Sequence, residues 1–379
     1  MNKNLIFLAS CAGMAFFGVS MLALGPLLSQ LGDGANALPA TLSVGIIIGT
    51  ALFGPVADKF GYKWLLITAS ILALLGIQGL ANMTDMSLLH LSILMLGIGG
   101  GILNGETNAL VAEIYDNKKR GSRLSILGAF YCIGALLWTL LNYFIESEFT
   151  IPLNCISAIM FAFIVFFFTI SFPKAKPHST VSFAKMAGLL KYPTLILFAF
   201  LLFFQSGFES ITGNFTVRFI ENVKNIDASA ATLTLTWFTI GMLAGRLMLG
   251  SMMKKLNAMR TLYLYLSIAL VGVTLLYFNS LAFTNITSSL QFFCGATALI
   301  GFGAGATFPV VLNYLGGAFK EMAGTAFSIA IFIALCGQFT FNKITGILFD
   351  NSHYACFPVV MGFAIAMIMF FLPIAKRKL

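Results

Sequence analysis

Charged side chains are scarce in this sequence of 379 residues. Asp, Glu, Lys and Arg together make up 9% of the chain, whereas a soluble globular domain carries about 25%. Hydrophobic residues account for 59% of the chain, and the mean hydropathy is +0.94. A chain with so few charges cannot cover a folded surface with polar groups, so lipid is the solvent for most of it. The ordinary soluble classes are thereby excluded.

Histidine and cysteine are also few, and neither is arranged for chemistry. None of the three histidines lies deep in an apolar stretch, and no HExxH, His-Asp or His-Glu grouping occurs. The six cysteines fall in apolar stretches without CxxC spacing, where cysteine acts as a small hydrophobic residue. The sequence therefore predicts no metal site, no disulfide framework and no cofactor. A membrane-embedded acyltransferase or protease needs a nucleophile–base pair or a metal, so this class is disfavoured.

Long apolar stretches are abundant. Twelve of them are close to or longer than the roughly 20 residues that a helix needs to cross a bilayer. They are continuous and not alternating, which favours helices over a β-barrel. The predicted fold class is an all-α integral membrane protein with twelve transmembrane helices. The predicted spans are 5–31, 39–57, 63–82, 87–114, 123–145, 150–173, 194–222, 229–253, 260–281, 286–316, 324–347 and 355–375.

Lysine and arginine are distributed unevenly between the loops. If both termini lie on one side of the membrane, that side holds 18 of the 22 basic residues. Because loops rich in Lys and Arg stay in the cytoplasm, we expect cytoplasmic termini in a multi-pass protein of a bacterial-type inner membrane. The asymmetry also accounts for the net charge of +9 without a nucleic-acid partner. The basic residues on that side are Lys3, Lys59, Lys63, Lys118, Lys119, Arg120, Arg123, Lys174, Lys176, Lys185, Lys191, Lys254, Lys255, Arg260, Lys320, Lys376, Arg377 and Lys378.

The longest hydrophilic gap divides the chain into two similar halves. It covers 174–193 as a cytoplasmic linker and separates a six-helix bundle at 1–173 from a second at 194–379. The run LGIGGG at 96–101 recurs as IGFGAG at 300–305. Glycine runs inside a span predict close helix packing, whereas a dinucleotide site follows a strand. Parallel repetition of a six-helix unit is typical of a carrier whose halves rock against each other.

The segment GPVADKFGYK, which closes the second span, resembles the loop 2–3 signature of the major facilitator superfamily. The matching positions are Gly54, Asp58, Lys59, Gly61 and Lys63. The resemblance implies that this loop latches one conformation of a carrier, so these residues are the predicted gating motif. Gly61 would permit the tight turn that the loop requires. The corresponding segment of the second half, GRLMLGSMMKK, adds Gly245 and Arg246 to the motif but lacks the aspartate.

Several segments also resemble the fucose permease branch of that superfamily. They are GETNALV at 105–111, SRLSILGAFYCIGALL at 122–137, GFESITGNFTVRF at 207–219, GRLMLG at 245–250 and TFPVVLNYLG at 307–316. The resemblance implies a proton-coupled sugar symporter and places Glu106 on the span 4 glutamate that this branch uses in transport. Three features depart from the branch: span 1 contains no acid where the permease has an aspartate, Glu209 stands where it has a glutamine, and the polar residues of its span 5 are replaced around Gly128 and Tyr131. The identity of the sugar therefore does not carry over.

Two carboxyl groups lie deep inside predicted spans, Glu106 in span 4 and Glu209 in span 7. An ionised carboxylate at that depth costs about 3 kcal/mol, so the neutral form is favoured. A group that changes between the two forms is able to take up a proton on one side of the membrane and release it on the other. We therefore expect the coupling ion to be H⁺, carried by at least one of these glutamates. Two alternatives stay open: a neutral acid bonded to a neighbouring helix, or a pair with Arg246.

Polar and aromatic residues around these acids form the predicted substrate site. Amides supply hydrogen bonds to hydroxyl groups, and aromatic rings stack on the apolar face of a sugar, although buried amides also join helices. The predicted binding residues are Glu106, Asn108, Gln205, Glu209, Asn214, Trp237, Phe308, Asn313, Gln338 and Asn342. We expect a monomeric carrier for a sugar or a similar small polar solute. A proton-coupled antiporter for the efflux of drugs or metabolites is the alternative.

Overall fold

The computed structural model describes residues 2–28, 30–32, 34–115, 117–145, 149–172, 190–282, 286–319 and 323–377. Within this part of the chain, twelve segments are long and apolar enough to cross a membrane. The prediction of an all-α protein with twelve membrane helices is confirmed. The chain divides into two compact units, Met1–Thr180 and Val181–Leu379. The boundary falls inside the predicted linker at 174–193, most of which lies outside the described residues.

Unit 1 is built from six long helices. They are α1 (Lys3–Leu22), α2 (Leu38–Phe60), α3 (Tyr62–Asn82), α4 (Met86–Ile114), α5 (Asn117–Phe144) and α6 (Thr150–Thr169). α4 packs against α1, α2 and α3, while α1 packs against α5 and α3 packs against α6. Three sides of α4 are therefore covered by other helices of the same unit.

Unit 2 repeats this arrangement with one of its spans divided in two. Its helices are α7 (Pro193–Lys224), α8 (Ala228–Lys255), α9 (Ala258–Ala282), α10 (Ile286–Ala304), α11 (Thr307–Ala318), α12 (Ala323–Asp350) and α13 (Phe357–Lys376). α10 packs against α8 and α9 as α4 packs against α2 and α3, and α7 packs against α12 as α1 packs against α5. The internal repeat of the sequence is thus a repeat of helix pairings.

Glycines in α4 and α10 let neighbouring helices approach to backbone contact. A β-carbon at Gly97 or Gly101 would collide with the backbone of α2, and one at Gly99 would collide with the backbone of α3. In unit 2, Gly301 lies in the same way against α8, and Gly303 lies against α9. The interpretation of LGIGGG and IGFGAG as packing motifs is confirmed, since small residues are what such close approach requires.

The first helix is shorter than predicted. The predicted span continues to residue 31, but α1 ends at Leu22. The sequence Gly25-Pro26 explains the difference, because proline has no backbone N–H and disfavours helical geometry in the residue before it. The carbonyl of Leu22, left without a helical partner, accepts a hydrogen bond of 2.9 Å from the indole N–H of Trp138 in α5.

The span predicted over 286–316 is confirmed as one apolar segment, Ser289–Leu315, that is long enough to cross a membrane. Its helix is not continuous, because it is broken between Ala304, the last residue of α10, and Thr307, the first residue of α11. Pro309 explains the position of this break. It cannot donate to the carbonyl of Gly305, four residues earlier, and its ring would collide with that carbonyl.

Candidate functional site

Glu106 is completely buried in unit 1, on the side of α4 that faces α3. None of its surface is exposed, and the backbone of Leu66, near the start of α3, faces its carboxyl group. Two turns earlier on the same side of α4, Gly99 packs against Ala69 and Ala73 of α3. Neither carboxyl oxygen makes a hydrogen bond of acceptable geometry with any residue that the structure describes. The acid therefore lies in a helix interface that gives it no strong neutralising contact.

The burial of Glu106 favours its neutral form. The cost of ionising a carboxyl group at membrane depth is about 3 kcal/mol, and no hydrogen bond of acceptable geometry from the described residues offsets this cost. Release of the proton therefore needs water or another polar group to reach the carboxyl group.

Asn108, which the sequence analysis grouped with Glu106, lies on a different side of α4. Two residues along an α-helix are separated by about 200° around its axis. The amide of Asn108 donates to the backbone carbonyl of Asn104 at 2.8 Å and to its side-chain oxygen at 3.2 Å. Both asparagines are half-buried, whereas Glu106 is enclosed. The structure thus separates these two predicted binding residues.

The loop between α2 and α3 consists of one residue, Gly61. Its φ of +80° and ψ of 161° lie in a region that glycine alone adopts readily. The first two residues of α3 bind different helices. Tyr62 donates to a carboxylate oxygen of Glu113 in α4 at 2.9 Å, and Lys63 donates to the carbonyl of Phe168 in α6 at 2.7 Å. The turn is therefore tied to two neighbouring helices of unit 1.

The remaining residues of the predicted gating motif divide into two groups. The surroundings of Gly54 and the side chains of Asp58 and Lys59 lie outside what the structure describes. In unit 2, Gly245 packs against the backbone of Phe302 in α10, and its carbonyl accepts a hydrogen bond of 2.9 Å from Tyr265. Arg246, the next residue along α8, is thereby held at a fixed position on that helix.

Glu209 forms an ion pair with Arg246, which is the second alternative that the sequence left open. A guanidinium nitrogen of Arg246 lies 3.9 Å from a carboxylate oxygen of Glu209. The side chain of Arg246 is 26% exposed and that of Glu209 is 16% exposed. The two deep glutamates therefore have different surroundings, because Glu209 faces Arg246, whereas Glu106 forms no ion pair with a residue that the structure describes.

Gln205 lies one helical turn before Glu209 on α7 and reaches the break in span 10. Its amide N–H donates to the carbonyl of Ala304 at 3.0 Å, which is the terminal carbonyl of α10. Its side-chain oxygen is buried and accepts no hydrogen bond from the described residues, and the same holds for the hydroxyl oxygen of Thr307 at the start of α11. The break is thus bordered by buried polar atoms that still have hydrogen-bonding capacity.

A second polar cluster joins α7 to α12. The amide of Asn342 donates to the hydroxyl of Ser210 at 2.7 Å, and the amide of Asn214 donates to Asn342 and to Ser210 at 3.2 Å each. All three residues are at most 2% exposed. Their arrangement corresponds to the helix-joining alternative for buried amides.

The other predicted binding residues do not gather at one place in unit 2. Trp237 on α8 is 45% exposed, and Asn313 on α11 is exposed as well, whereas Phe308 is half-buried and Gln338 on α12 is buried. The structure brings together Gln205, Glu209 and Arg246 around the break in span 10. It joins Asn214 to Asn342 separately.

Three contacts of these sites were missed by sequence reasoning. Ser210 completes the cluster of Asn214, and its spacing of four residues from that asparagine on one helix was an available signal. Tyr62 binds Glu113, and Tyr265 binds the carbonyl of Gly245. No sequence signal marks these tyrosines, because their partners are set by the packing of separate helices.

The fold is that of a polytopic helical membrane protein made of two similar six-span units. Residues 5–282 match the family model of the Major Facilitator Superfamily. The chain belongs to this superfamily, as the loop 2–3 motif predicted. The finer likeness to the fucose permease branch stays a prediction.

Three transport proteins are similar to this chain over different fractions of its length. The D-xylose transporter of Levilactobacillus brevis is 30% identical over 107 residues, 28% of this chain and 23% of that protein. The glucose/mannose transporter GlcP of Bacillus subtilis is 25% identical over 326 residues, 79% of this chain and 78% of that protein. The multi-drug resistance efflux pump PmrA of Streptococcus pneumoniae is 26% identical over 354 residues, 83% and 84% of the two chains.

A solved structure has the same fold over the whole chain. The crystal structure of a D-xylose-proton symporter matches with a TM-score of 0.78 and 18% identity, covering 99% of both chains. At this identity the likeness concerns the fold alone.

Proposed function

We propose that this protein is a secondary active transporter that moves a sugar or a similar small polar solute together with a proton. Membership of the superfamily, the sugar transporters among its relatives and the buried acid of α4 support this proposal. In the mechanism that we propose, the two units expose the solute and the proton alternately to the two sides of the membrane. The excess of Lys and Arg in one set of loops supports cytoplasmic termini in a bacterial inner membrane. We propose a monomer that acts without a cofactor and catalyses no chemical reaction.

The observation that carries the proposal is the state of Glu106, a fully buried acid whose oxygens make no hydrogen bond with the described residues. Such a group is able to hold a proton as a neutral acid while it is enclosed. When a change of conformation admits water, the hydration of the carboxylate removes the ionisation cost, and the proton leaves. Glu209 suits this role less well, because the nearby guanidinium of Arg246 stabilises its ionised form.

The contact between Tyr62 and Glu113 suggests how protonation and conformation are connected. Glu106 and Glu113 lie two turns apart on the same side of α4, and both face the start of α3. The predicted gating loop ends at Gly61, immediately before that helix. A change of charge at Glu106 would therefore act on the helix end to which the loop is attached.

A proton-coupled antiporter for apolar compounds is the second candidate function. The match to PmrA, an efflux pump, over 83% of this chain favours it. The buried oxygens of Gln205 and Thr307 at the break in span 10, which make no hydrogen bond with the described residues, favour a polar solute instead. Both functions would use a deep acid, so the substrate and the direction of proton movement distinguish them.

Replacement of Glu106 by glutamine tests the proposal. Glutamine has nearly the same shape as protonated glutamate but cannot release a proton. We expect Glu106→Gln to abolish accumulation of the transported sugar against its gradient and to keep exchange of labelled for unlabelled sugar. Proteoliposomes with and without an imposed pH gradient separate the two activities, and a panel of radiolabelled hexoses and pentoses identifies the sugar.

Asp85→Asn is the matched control, since it removes a carboxylate from the exposed start of the same helix. Its amide oxygen still accepts the hydrogen bonds from the backbone of Ser87 and Leu88, so gradient-driven accumulation should continue. Normal accumulation by Glu106→Gln would contradict the proposal, and so would loss of accumulation and exchange to the same degree in both variants.

A further inference from the structure

An arginine lies between two aromatic rings at the end of unit 1 where α1 begins and α4 ends. The central carbon of the Arg123 guanidinium is 4.9 Å from the centre of the Phe7 ring and 5.1 Å from the centre of the Tyr115 ring. The two rings are perpendicular, with their centres 5.7 Å apart. A cation at this distance from a ring face is attracted to it. The rings therefore hold the guanidinium of α5 in a corner that α1 and the end of α4 form.

The hydrogen-bonding groups of Arg123 are available to a ligand. A guanidinium carries five N–H donors, and Arg123 forms no hydrogen bond or ion pair with a residue that the structure describes. Glu113, the described acid nearest to it in sequence, binds Tyr62 of α3 instead. The side chain of Arg123 is half-buried, and charges withdrawn from water are normally paired. This arrangement indicates a site for an anion.

The site lies at the boundary of the membrane. Arg123 is three residues before the apolar segment Ile126–Phe144, and Tyr115 is four residues after the apolar segment Met86–Val111. Lys3, the first residue of α1, is exposed at the same end of the unit. Lipid phosphates lie at this depth, and basic side chains there attract anionic lipids.

An exposed apolar stripe continues from Arg123 along α5. Its members are Ile126, Ile133 and Leu137, which are 39%, 46% and 38% exposed. Their spacing keeps all three within about 80° of Arg123 around the helix axis. Large hydrophobic side chains exposed at membrane depth are suited to contact with an acyl chain. A cation and an acyl-binding surface thus adjoin each other, as the phosphate and the chains of a phospholipid do.

We infer that Arg123 binds the phosphate of one anionic phospholipid, whose acyl chain lies along the stripe of Ile126, Ile133 and Leu137. The lipid belongs to the leaflet at the end of the protein where α1 begins, which is the cytoplasmic leaflet in the orientation proposed above. Anionic headgroups are preferred to zwitterionic ones, because an ammonium group would be repelled by Arg123 and Lys3. None of these residues was assigned to the solute or to the proton, so the inference is independent of the proposed function.

Native mass spectrometry of the purified protein, titrated with lipid in detergent, tests the inference. The probes are dioleoyl phosphatidylglycerol and dioleoyl phosphatidylcholine, which have the same acyl chains and differ in the charge of the headgroup. We expect the wild-type protein to bind one molecule of phosphatidylglycerol about tenfold more tightly than phosphatidylcholine. Arg123→Gln should bind phosphatidylglycerol about tenfold more weakly than the wild-type protein does, and its preference should disappear.

Arg260→Gln is the matched control, because it removes an exposed arginine near the start of α9 in unit 2. It should leave both affinities unchanged. Equal affinity of the wild-type protein for the two lipids would overturn the inference, and this comparison decides the result if Arg123→Gln does not fold. Retention of the preference by Arg123→Gln, or an equal loss in Arg260→Gln, would overturn it as well.

Competition with inorganic phosphate and with glycerol 3-phosphate distinguishes a lipid from a soluble anion. Neither should displace phosphatidylglycerol at equal concentration, because burial of the acyl chain contributes to the binding of the lipid alone. Displacement by either compound at equal concentration would identify a site for a soluble phosphate and would overturn the assignment to a lipid.

Discussion

Replacement of Glu106 by leucine should make the protein more stable while removing its function. The carboxyl group is completely buried, and its two oxygens make no hydrogen bond of acceptable geometry with the described residues. An unsatisfied buried polar group costs about 1–3 kcal/mol. Leucine has a similar volume and no polar atom, so Glu106→Leu should raise the free energy of unfolding by about 2 kcal/mol. A gain of stability at a functional residue is a common trade-off between stability and activity.

Unfolding of the purified protein in mixed micelles, followed by tryptophan fluorescence, measures this difference. Asn279→Leu is the matched comparison, because it places the same residue at another buried polar position, 1% exposed, where both polar atoms of the side chain are hydrogen-bonded. That change removes the two hydrogen bonds that join Asn279 to Ser289, so it should cost about 1–3 kcal/mol. The two leucine variants should therefore differ in sign.

A loss of stability in Glu106→Leu of more than about 1 kcal/mol would refute the reasoning. That result would mean that the carboxyl group holds α3 and α4 together by a contact of its own. A protein stabilised by the leucine but still able to accumulate sugar would separate the burial of Glu106 from its proposed role.

Two further predictions concern helix packing. Gly301→Ala would place a β-carbon on the carbonyl of Phe238 in α8, so it should lower the yield of folded protein and its unfolding temperature. Gly295→Ala should leave both unchanged, because a β-carbon at that position would have no neighbouring atom within 4 Å. Size-exclusion chromatography and thermal unfolding measure both variants, and equal behaviour of the two would contradict the packing role of the glycines. Asn342→Leu removes the hydrogen bonds to Ser210 and Asn214 and should cost about 1 kcal/mol, because interhelical hydrogen bonds in membranes average about 0.6 kcal/mol each. Unfolding in mixed micelles measures this cost, and an increase in stability would contradict the role assigned to the cluster.

Composition and periodicity were sufficient for the helices, because a bilayer imposes one length and one polarity on every span. The packing role of the glycines was predicted from their position inside a span, and the structure places Gly97 and Gly101 against α2 and Gly99 against α3. The early end of α1 and the break inside span 10 each had a signal in the sequence. Pro26 and Pro309 each remove a backbone donor, and the helices end one turn before them.

The site could be predicted only in part, since sequence gives depth in the membrane but not the direction of a side chain. Glu106 and Glu209 were both identified as deep acids, yet only the structure shows that Arg246 faces one of them. The separation of Glu106 from Asn108 was available from their spacing of two residues on one helix. The bond between Ser210 and Asn342 was not available, because 132 residues separate them in the chain.

The direction of proton movement tests the central claim most directly. Addition of the accepted sugar to lightly buffered, de-energised vesicles with the cytoplasmic side inside should make the external medium more alkaline, as protons enter with the sugar. Glu106→Gln vesicles should give no such change. Acidification of the medium on addition of a lipophilic cation, with no response to any sugar, would contradict the account and identify an antiporter.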